Sequence, residues 1–400
     1  MTAWYRHHPA LRTSAGAPAD VCWRREPALA AYRRIQFTVE DTGAQVDVPV
    51  SATPVVVDGV GVLVVSDEGC VRLFKDDLSR VFWQRRVPAT LYASPVYLED
   101  ARQFVIASQG GHVAALDLLG EVRWLAEVDQ PIYGSPAVDV ARGALYVTSF
   151  GQRLFGFDLA TGALRWRAEL PAPWAAAIGS PQAARDPYAS PVIDGDGNVY
   201  VTSAEHVNAF DPGGRRRWRL DTGATLRASP AVDDATRTCV AASVAGELWL
   251  IDLGSRSVRH RVVTGGKLLA SPAIGDGVAF VGTEQGRILA VDLVTGAPRW
   301  SREVGHGLDH GSLTVTPPGD VVCVTAAGNA LCLDAASGAF VWETSQVVDE
   351  PDHDRRLNGT PVIAPSGVMM ATSYAGFVYQ FRFRSRASVD HAREGRVVVA

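Results

Sequence analysis

A Ser-Pro or Thr-Pro pair, or a close variant of it, recurs eight times along this 400-residue sequence. The copies are Thr53-Pro54, Ser94-Pro95, Ser135-Pro136, Ser190-Pro191, Ser229-Pro230, Ser271-Pro272, Ser312-Leu313 and Thr360-Pro361. Most are about 40 residues apart, a period typical of propellers and solenoids, in which each repeat is one supersecondary unit. The repeat therefore constrains the fold before any chemistry is considered.

The second repeat shows what one unit contains. Residues 94–98, 103–108, 112–117 and 122–126 are short β-rich runs, and Gly or Asp turns separate them. Such a pattern indicates a four-stranded antiparallel blade. Proline is tolerated at the first residue of a strand, and small residues suit innermost strands that converge on an axis. The sequence therefore predicts an all-β, eight-bladed β-propeller of four-stranded antiparallel blades.

A tryptophan follows the turn between the third and fourth predicted strands of most repeats. The fullest form of this turn, Asp-Leu-x-Thr-Gly-x-x-x-Trp, occupies residues 158–166 and 292–300. The ring position is also occupied by Trp83, Trp124, Trp218, Trp342 and, once, His260. A large ring at a fixed repeat position predicts packing between blades, because each repeat buries its faces on its neighbours.

These motifs resemble the pyrroloquinoline-quinone-type, or quinoprotein-like, β-propeller repeat. The resemblance rests on the Ser-Pro start, the Tyr-Val-Thr-Ser second strand at 146–149 and 200–203, and the Asp-to-Trp turn, and it covers about residues 51–383. The repeat is similar to that of quinoprotein alcohol dehydrogenases and of the bacterial outer-membrane assembly lipoprotein. It implies the fold but not the function, because the family includes both enzymes and scaffolds.

The repeats also divide the chain. The predicted parts are an N-terminal segment (1–50), the propeller (51–384) and a C-terminal tail (385–400). Closure of a propeller ring usually borrows a strand from the opposite terminus, and three segments compete for that role. They are residues 21–25, which look like 81–85 and would supply Trp23, residues 35–40, and residues 396–399.

Composition excludes several classes of partner. A net charge of −5 argues against nucleic acid, which requires a basic surface. No apolar run approaches the length of a transmembrane helix, so we predict no membrane span. The first residues lack the charged-then-apolar layout of a secretory signal, and the five cysteines are unclustered and without metal spacing. These features predict a cytoplasmic protein with reduced thiols.

The resemblance to quinoprotein dehydrogenases implies a specific cofactor site. Those enzymes hold quinone and calcium with Glu, Asn and Asp side chains, and stack the quinone on a disulfide between adjacent cysteines. The cysteines of this chain are Cys22, Cys70, Cys239, Cys323 and Cys332, and no two are adjacent. We therefore predict a chain without bound quinone and without another cofactor.

The candidate site is the channel mouth, on the loops that lead into the first strands. Two residues before each Ser/Thr-Pro start stand Ser51, Tyr92, Tyr133, Tyr188, Arg227, Leu269, His310 and Asn358. A structural position repeats one residue type, whereas this position collects Tyr, Arg, His and Asn. The turns between second and third strands are expected to approach the same face with Asp67, Glu68, Gln109, Phe150, Glu205, Glu284 and Tyr374. A solvated polar mouth without a site is the alternative.

Two of the loops that lead into first strands are longer than the repeat predicts: the loop before blade four and the loop before blade eight, residues 347–358. The loop before blade four, residues 171–188, is apolar and contains Trp174, which predicts a lid, a partner contact or packing on the propeller face. The loops before blades seven and eight are expected to be neighbours. Their imidazoles and carboxylates predict a transition-metal site, a His–Asp acid–base pair or a polar surface. The residues concerned are His306, Asp309, His310, Asp352 and His353.

Two functions remain open. The favoured one is a propeller that binds a small molecule, peptide or protein over the mouth, because Tyr and Arg give large contact area and directed hydrogen bonds. Its ligand-binding residues would be Arg227, Asn358, Trp174, Glu205 and Glu284. The alternative is a cofactor-independent or metal-assisted lyase, cyclase, isomerase or hydrolase. Its acid–base residues would be Tyr92, Tyr133, Tyr188 and His310.

Overall fold

The computed structural model describes residues 29–36, 38–41, 44–57, 59–171, 188–308, 310–316, 319–343, 356–364 and 368–383, with side chains from Val48 to Phe381. Every regular element in these ranges is a β-strand. No helix in the described ranges is long and apolar enough to cross a membrane.

Eight four-stranded antiparallel sheets form the blades of a propeller, which confirms the predicted fold. The first strands in the chain are β1 (Leu29–Gln36), β2 (Thr38–Asp41) and β3 (Ala44–Asp47). Blades one and two are β4 (Val55–Val57), β5 (Gly61–Ser66), β6 (Cys70–Phe74), β7 (Val81–Arg86), β8 (Val96–Leu98), β9 (Gln103–Ala107), β10 (His112–Asp117) and β11 (Val122–Glu127). Blades three and four are β12 (Ala137–Asp139), β13 (Ala144–Ser149), β14 (Arg153–Asp158), β15 (Leu164–Glu169), β16 (Val192–Ile193), β17 (Val199–Ser203), β18 (His206–Phe210) and β19 (Arg216–Asp221).

The second half of the ring repeats this arrangement. Blades five and six are β20 (Ala231–Asp233), β21 (Thr238–Ala242), β22 (Glu247–Asp252), β23 (Ser257–Val263), β24 (Ala273–Gly275), β25 (Val278–Gly282), β26 (Arg287–Asp292) and β27 (Pro298–Glu303). Blades seven and eight are β28 (Thr314–Val315), β29 (Asp320–Val324), β30 (Ala330–Asp334), β31 (Phe340–Glu343), β32 (Val362–Ile363), β33 (Val368–Thr372) and β34 (Phe377–Phe383), with β1 as the last strand. First strands of neighbouring blades contact each other, β32 and β4 included, so they are innermost.

The outermost strand of blade eight comes from the N-terminal segment. Strand β1 pairs antiparallel with β34, with Ile35 opposite Val378 and Gln36 opposite Phe377. It shares only Ile35 and Gln36 with the segment 35–40 considered from the sequence, because Thr38–Asp41 pairs with β3 in a separate hairpin. The other two segments, 21–25 and 396–399, lie outside the described residues.

A set of hydrogen bonds joins the innermost strands where they begin. The backbone N–H of Thr53 donates to Oγ of Ser94 at 3.0 Å, and that of Ser94 donates to Oγ of Ser135 at 2.8 Å. Bonds of the same kind, 2.8–3.1 Å long, run from Ser135 to Ser190, Ser190 to Ser229, Ser229 to Ser271, Ser271 to Ser312 and Ser312 to Thr360. The hydroxyl recurs because each blade uses it to hold the blade before it.

The recurrent rings join blades further out. Nε1 of Trp83 donates to the Leu118 carbonyl at 2.7 Å, and Nε1 of Trp124 donates to the Leu159 carbonyl at 3.1 Å, in each case in the next blade. Trp166, Trp300 and His260 make the equivalent bond. A Cβ on Gly162, whose φ is 71°, would lie 2.4 Å from the Trp124 ring, so glycine is required there. The predicted packing between blades is confirmed for these rings.

The apolar core lies between the blades because successive residues of a strand face opposite sides. In blade three, Leu145 and Phe157 pack toward blade two, whereas Tyr146 and Leu154 pack toward blade four. Every blade therefore buries its apolar side chains against both neighbours. The loops on the two faces of the propeller are held by this rigid frame.

We expect Ser190→Ala to lower the free energy of unfolding by about 1–3 kcal/mol, because it leaves the buried N–H of Ser135 without an acceptor. Chemical denaturation measures the change. The matched control is Ser301→Ala on an exposed outer strand, which should stay within about 0.5 kcal/mol of the wild type. Equal stability of the two variants would contradict a structural role for the recurrent hydroxyl.

Candidate functional site

Two sets of loops meet at the channel mouth, as predicted. The loops that lead into first strands and the turns between second and third strands are joined by backbone hydrogen bonds. The N–H of Gln109 donates to the Thr90 carbonyl at 2.9 Å, and the N–H of Phe150 donates to the Pro131 carbonyl at 2.8 Å. Side chains from both sets therefore line one surface.

Aromatic side chains from blades two to four form one continuous cluster on this surface. The rings of Tyr92 and Tyr133 are stacked with centroids 5.2 Å apart, and Tyr133 stacks on Phe150 at 4.4 Å. Tyr188 meets Tyr133 and Phe150 edge-on at 5.3 and 5.2 Å. All four rings are half-buried, so they present a fixed aromatic surface. The three tyrosines predicted from the sequence are thus brought together.

Arg227 ends this cluster. Its guanidinium carbon lies 5.6 Å from the centroid of the Tyr188 ring, a cation–π distance. The side chain is exposed and makes no hydrogen bond or ion pair with the residues that the structure describes. Tyr92, Tyr133, Phe150, Tyr188 and Arg227 are called the mouth patch below. It combines an aromatic surface with a cation that pairs with none of the described side chains.

A carboxyl group borders the mouth patch on the side of blade one. Oδ1 and Oδ2 of Asp67 accept hydrogen bonds from the N–H of Ser51 at 3.0 Å and its hydroxyl at 2.7 Å. Burial raises the pKa of Asp67, although the two bonds from Ser51 lower it. The pKa of Tyr92 is also raised, first by burial and then by the charge of Asp67. Tyr92 is therefore a neutral hydrogen-bonding group at physiological pH.

His310, the predicted base, contacts Tyr374 and not one of the three tyrosines predicted as its acid–base partners. Its Nδ1 is 3.4 Å from the hydroxyl of Tyr374, and the two rings meet edge-on at 6.5 Å. This pair belongs to blades seven and eight, whereas Tyr92, Tyr133 and Tyr188 belong to the loops before blades two to four. The structure thus divides the candidate acid–base residues into two groups.

The proposed metal ligands are only partly described. His306 is exposed, and Asp309 and His353 lie outside the described residues. Within the described ranges no three His, Cys, Asp or Glu side chains are grouped so that they could hold a metal ion. The metal site stays a prediction from the sequence.

The remaining candidate ligand-binding residues differ in exposure. Glu205 is buried, and its Oε1 lies 3.4 Å from Nε2 of His206. Glu284 is exposed and pairs with Lys267 at 3.2 Å. Asn358 is 4% exposed, and its Oδ1 has no hydrogen-bond partner among the described residues. Trp174 lies outside the described residues.

Two partners of these side chains were not found by reasoning from the sequence. Lys267 is one of only two lysines in a chain rich in arginine, and that rarity could have drawn attention to it. His206 directly follows Glu205, but adjacency in a turn does not predict that the two side chains approach each other. Its Nδ1 lies 2.6 Å from Asp221, so this imidazole stands between two carboxylates.

The quinone site that the resemblance implies does not fit this chain. No two cysteines are adjacent in the sequence, and Cys70, Cys239, Cys323 and Cys332 are all buried. We derive no step through a quinone.

The fold and repeats define the chain as a propeller of the pyrroloquinoline-quinone-like class. The family model described as outer membrane protein assembly factor BamB matches residues 20–206 and 203–398. The chain therefore belongs to the BamB family. No curated protein sequence matches it significantly.

Three solved structures illustrate how widely this fold occurs. BamB from Moraxella catarrhalis is 17% identical with a TM-score of 0.66, covering 88% of this chain and 100% of its own. Quinohemoprotein alcohol dehydrogenase ADHIIG from Pseudomonas putida HK5 is 13% identical with a TM-score of 0.69, covering 92% and 78%. The computationally designed Ika8 protein is 12% identical with a TM-score of 0.65, covering 84% and 96%. At these identities the likeness concerns the fold alone.

We expect Asp67→Asn to gain stability relative to the wild type as the pH rises from acid to neutral. A raised pKa means that the folded chain holds this proton more tightly than the unfolded chain, whose ordinary value is 3.8. Ionisation of Asp67 therefore costs stability, and the cost is fully present above its folded pKa. Denaturation of both proteins across this pH range measures the difference.

Asp158→Asn is the control with the opposite sign. A hydrogen bond from Arg165 is the main cause that lowers the pKa of Asp158 to about 2, so ionisation there favours the folded chain. This variant should lose stability relative to the wild type as the pH rises. The same trend in both variants would contradict the environment described for Asp67.

Proposed function

We propose that the chain binds an extended segment of a partner protein or peptide across the mouth patch. The observation that carries this proposal is the continuous contact from Tyr92 through Tyr133 and Tyr188 to the guanidinium of Arg227. Tyr and Arg dominate the energetics of many protein interfaces, because they combine apolar area with directed hydrogen bonds. Four half-buried rings in mutual contact lose little side-chain entropy when a ligand covers them.

The charge of the patch indicates what the segment contains. The guanidinium of Arg227 can donate two parallel hydrogen bonds to a carboxylate, and no described side chain occupies those donors. The stacked rings beside it favour an apolar or aromatic neighbour. The proposed ligand is therefore a segment in which an acidic residue adjoins an aromatic or large aliphatic one.

Membership of a family described as an outer membrane protein assembly factor supports a protein partner for this scaffold. The same description does not support the cytoplasmic location predicted from the sequence. Location stays a prediction, and the proposal for the mouth patch does not depend on it.

The alternative, acid–base catalysis at the mouth, has one observation in its favour. His310 and Tyr374 are within hydrogen-bond reach, as a base and an acid would be. Because this pair lies on blades seven and eight, the two functions can be separated by variants. His310→Ala should leave binding at the mouth patch unchanged.

Selection of peptides from a random phage-displayed library against the wild-type chain tests the proposed binding. We expect the selected peptides to pair an acidic residue with an aromatic or aliphatic one. Their affinity for Arg227→Ala and for Tyr188→Ala should fall by at least about tenfold, which corresponds to about 1.4 kcal/mol. Fluorescence anisotropy with the labelled peptides measures this change.

Arg256→Ala is the matched control. Arg256 is an exposed arginine of blade five, the blade that Arg227 leads into, but it lies in the turn between the third and fourth strands and therefore away from the mouth patch. Its peptide affinity should equal that of the wild type. Unchanged affinity in Arg227→Ala, at an unchanged melting temperature, would reject the mouth patch as the binding site.

A further inference from the structure

The face opposite the mouth carries a groove between blades two and three. Two of its walls belong to the turns 99–102 and 140–143, which join the first and second strands of these blades. These turns line the groove with Glu99, Asp100, Ala101, Val140, Ala141 and Gly143, whereas the side chains of Arg102 and Arg142 are not part of the lining. The turn after Asp158 forms the third wall, and the volume is about 330 Å³. Each first strand begins at the mouth and ends at these turns. The groove and the mouth patch therefore lie on opposite faces of the propeller.

The floor of this groove is apolar and fixed in position. Leu98 and Val138 form its buried part, and Val140 is 42% exposed at its edge. Leu159 belongs to the third wall, and its carbonyl accepts the hydrogen bond of the Trp124 ring. The walls are therefore held by the same contacts that join the blades.

The groove exists because two neighbouring turns are not bridged. Between blades four and five, the equivalent turns are connected by an ion pair of Arg237 and Asp196 at 3.4 Å. The position of blade three that is equivalent to Arg237 is Gly143, which has no side chain to form such a bridge. The preceding Arg142 pairs with Asp139 of its own blade at 2.9 Å. No hydrogen bond or ion pair joins the described turns of blades two and three, so the space between them stays open.

The rim of the groove is negatively charged. Glu99 and Asp100 are exposed and form no ion pair within the described ranges. The other two carboxylates of the lining, Asp139 and Asp158, pair with arginines that are not part of it, at 2.9 and 2.7 Å. No lysine or arginine lines the groove, so its charge is complementary to a cation.

We propose that this groove is a second docking site, for a protein segment in which a Lys or Arg adjoins an aliphatic residue. The aliphatic stem of the basic side chain and its neighbour lie on Leu98, Val138 and Val140, and the cationic head meets Glu99 and Asp100. An acidic segment is rejected by the same two carboxylates. The proposal is independent of the mouth patch, which selects the opposite charge.

The test uses three fluorescein-labelled peptides with the full-length chain and fluorescence anisotropy. They are Gly-Ser-Leu-Lys-Leu-Ser-Gly, the same peptide with Glu in place of Lys, and the Lys peptide with both Leu replaced by Ser. We expect the Leu-Lys-Leu peptide to bind at least about tenfold more tightly than either of the others. Added salt should weaken this binding, because the charged contact is at the surface.

Two variants place the binding in the groove. The double variant Glu99→Lys/Asp100→Lys should lower affinity for the Leu-Lys-Leu peptide by at least about tenfold, and Ala141→Trp, which fills the groove from an exposed position, should do the same. Asp276→Lys is the matched control, because Asp276 is an exposed carboxylate in the equivalent turn of blade six. Its affinity should equal that of the wild type.

The outcomes separate this proposal from the one for the mouth. Arg227→Ala should leave binding of the Leu-Lys-Leu peptide unchanged, whatever its effect on acidic peptides. The groove proposal is overturned if the wild type binds none of the three peptides, binds the Lys and Glu peptides equally, or keeps its affinity in Glu99→Lys/Asp100→Lys at an unchanged melting temperature.

Discussion

A hydrogen bond from the backbone of one blade to the hydroxyl of the next is the interaction on which the centre of this propeller depends. It recurs from Thr53 to Thr360, most of its copies are buried, and each requires a Ser or Thr in the accepting blade. Ser135 and Ser190 are 55 residues apart, yet their bond is 2.8 Å long, as in blades with shorter loops. The ring therefore fixes the strands and leaves the loops at both ends free to vary.

Because the loops can vary while the strands are fixed, the two candidate sites differ in chemistry although the same propeller supports both. On one face, loops before the first strands bring Tyr133 and Arg227 into a surface that combines aromatic rings with a cation. On the other face, unbridged turns leave Glu99 and Asp100 beside an apolar floor. Both surfaces arise where a residue departs from the repeat, because residues that keep the repeat are committed to contacts between blades.

The scaffold could be predicted from the sequence because its contacts are repeated. The tryptophans and the Asp-Gly turns recur at the same position of each repeat. A recurrent ring such as Trp124 is therefore expected to be buried between its own blade and the next. The role of Ser190 was predicted only in part: a small residue was expected for lack of space, whereas the structure also uses its hydroxyl as an acceptor. The closing strand Leu29–Gln36 overlaps the candidate segment 35–40 only at Ile35 and Gln36. Its bounds could not be predicted, because an outermost strand is joined to its blade by backbone hydrogen bonds that require no particular sequence.

The mouth could be predicted as a set of positions but not as a set of contacts. Counting back from each repeat start placed Tyr92, Tyr133 and Tyr188 on one face, and the structure brings them together. It did not reveal that His310 faces Tyr374, or that Glu205 is buried. Those features depend on how neighbouring loops pack, and loop packing does not repeat with the blades.

Amide hydrogen exchange at the starts of the first strands tests the central hydrogen-bonded ring most directly. If each N–H is held by the hydroxyl of the next blade, the amides of Ser94, Ser135, Ser190 and Ser229 should exchange only with global unfolding, and at similar rates. Exchange at any of them as fast as at the amide of the exposed residue Gly223 would contradict hydrogen bonds that hold the blades together.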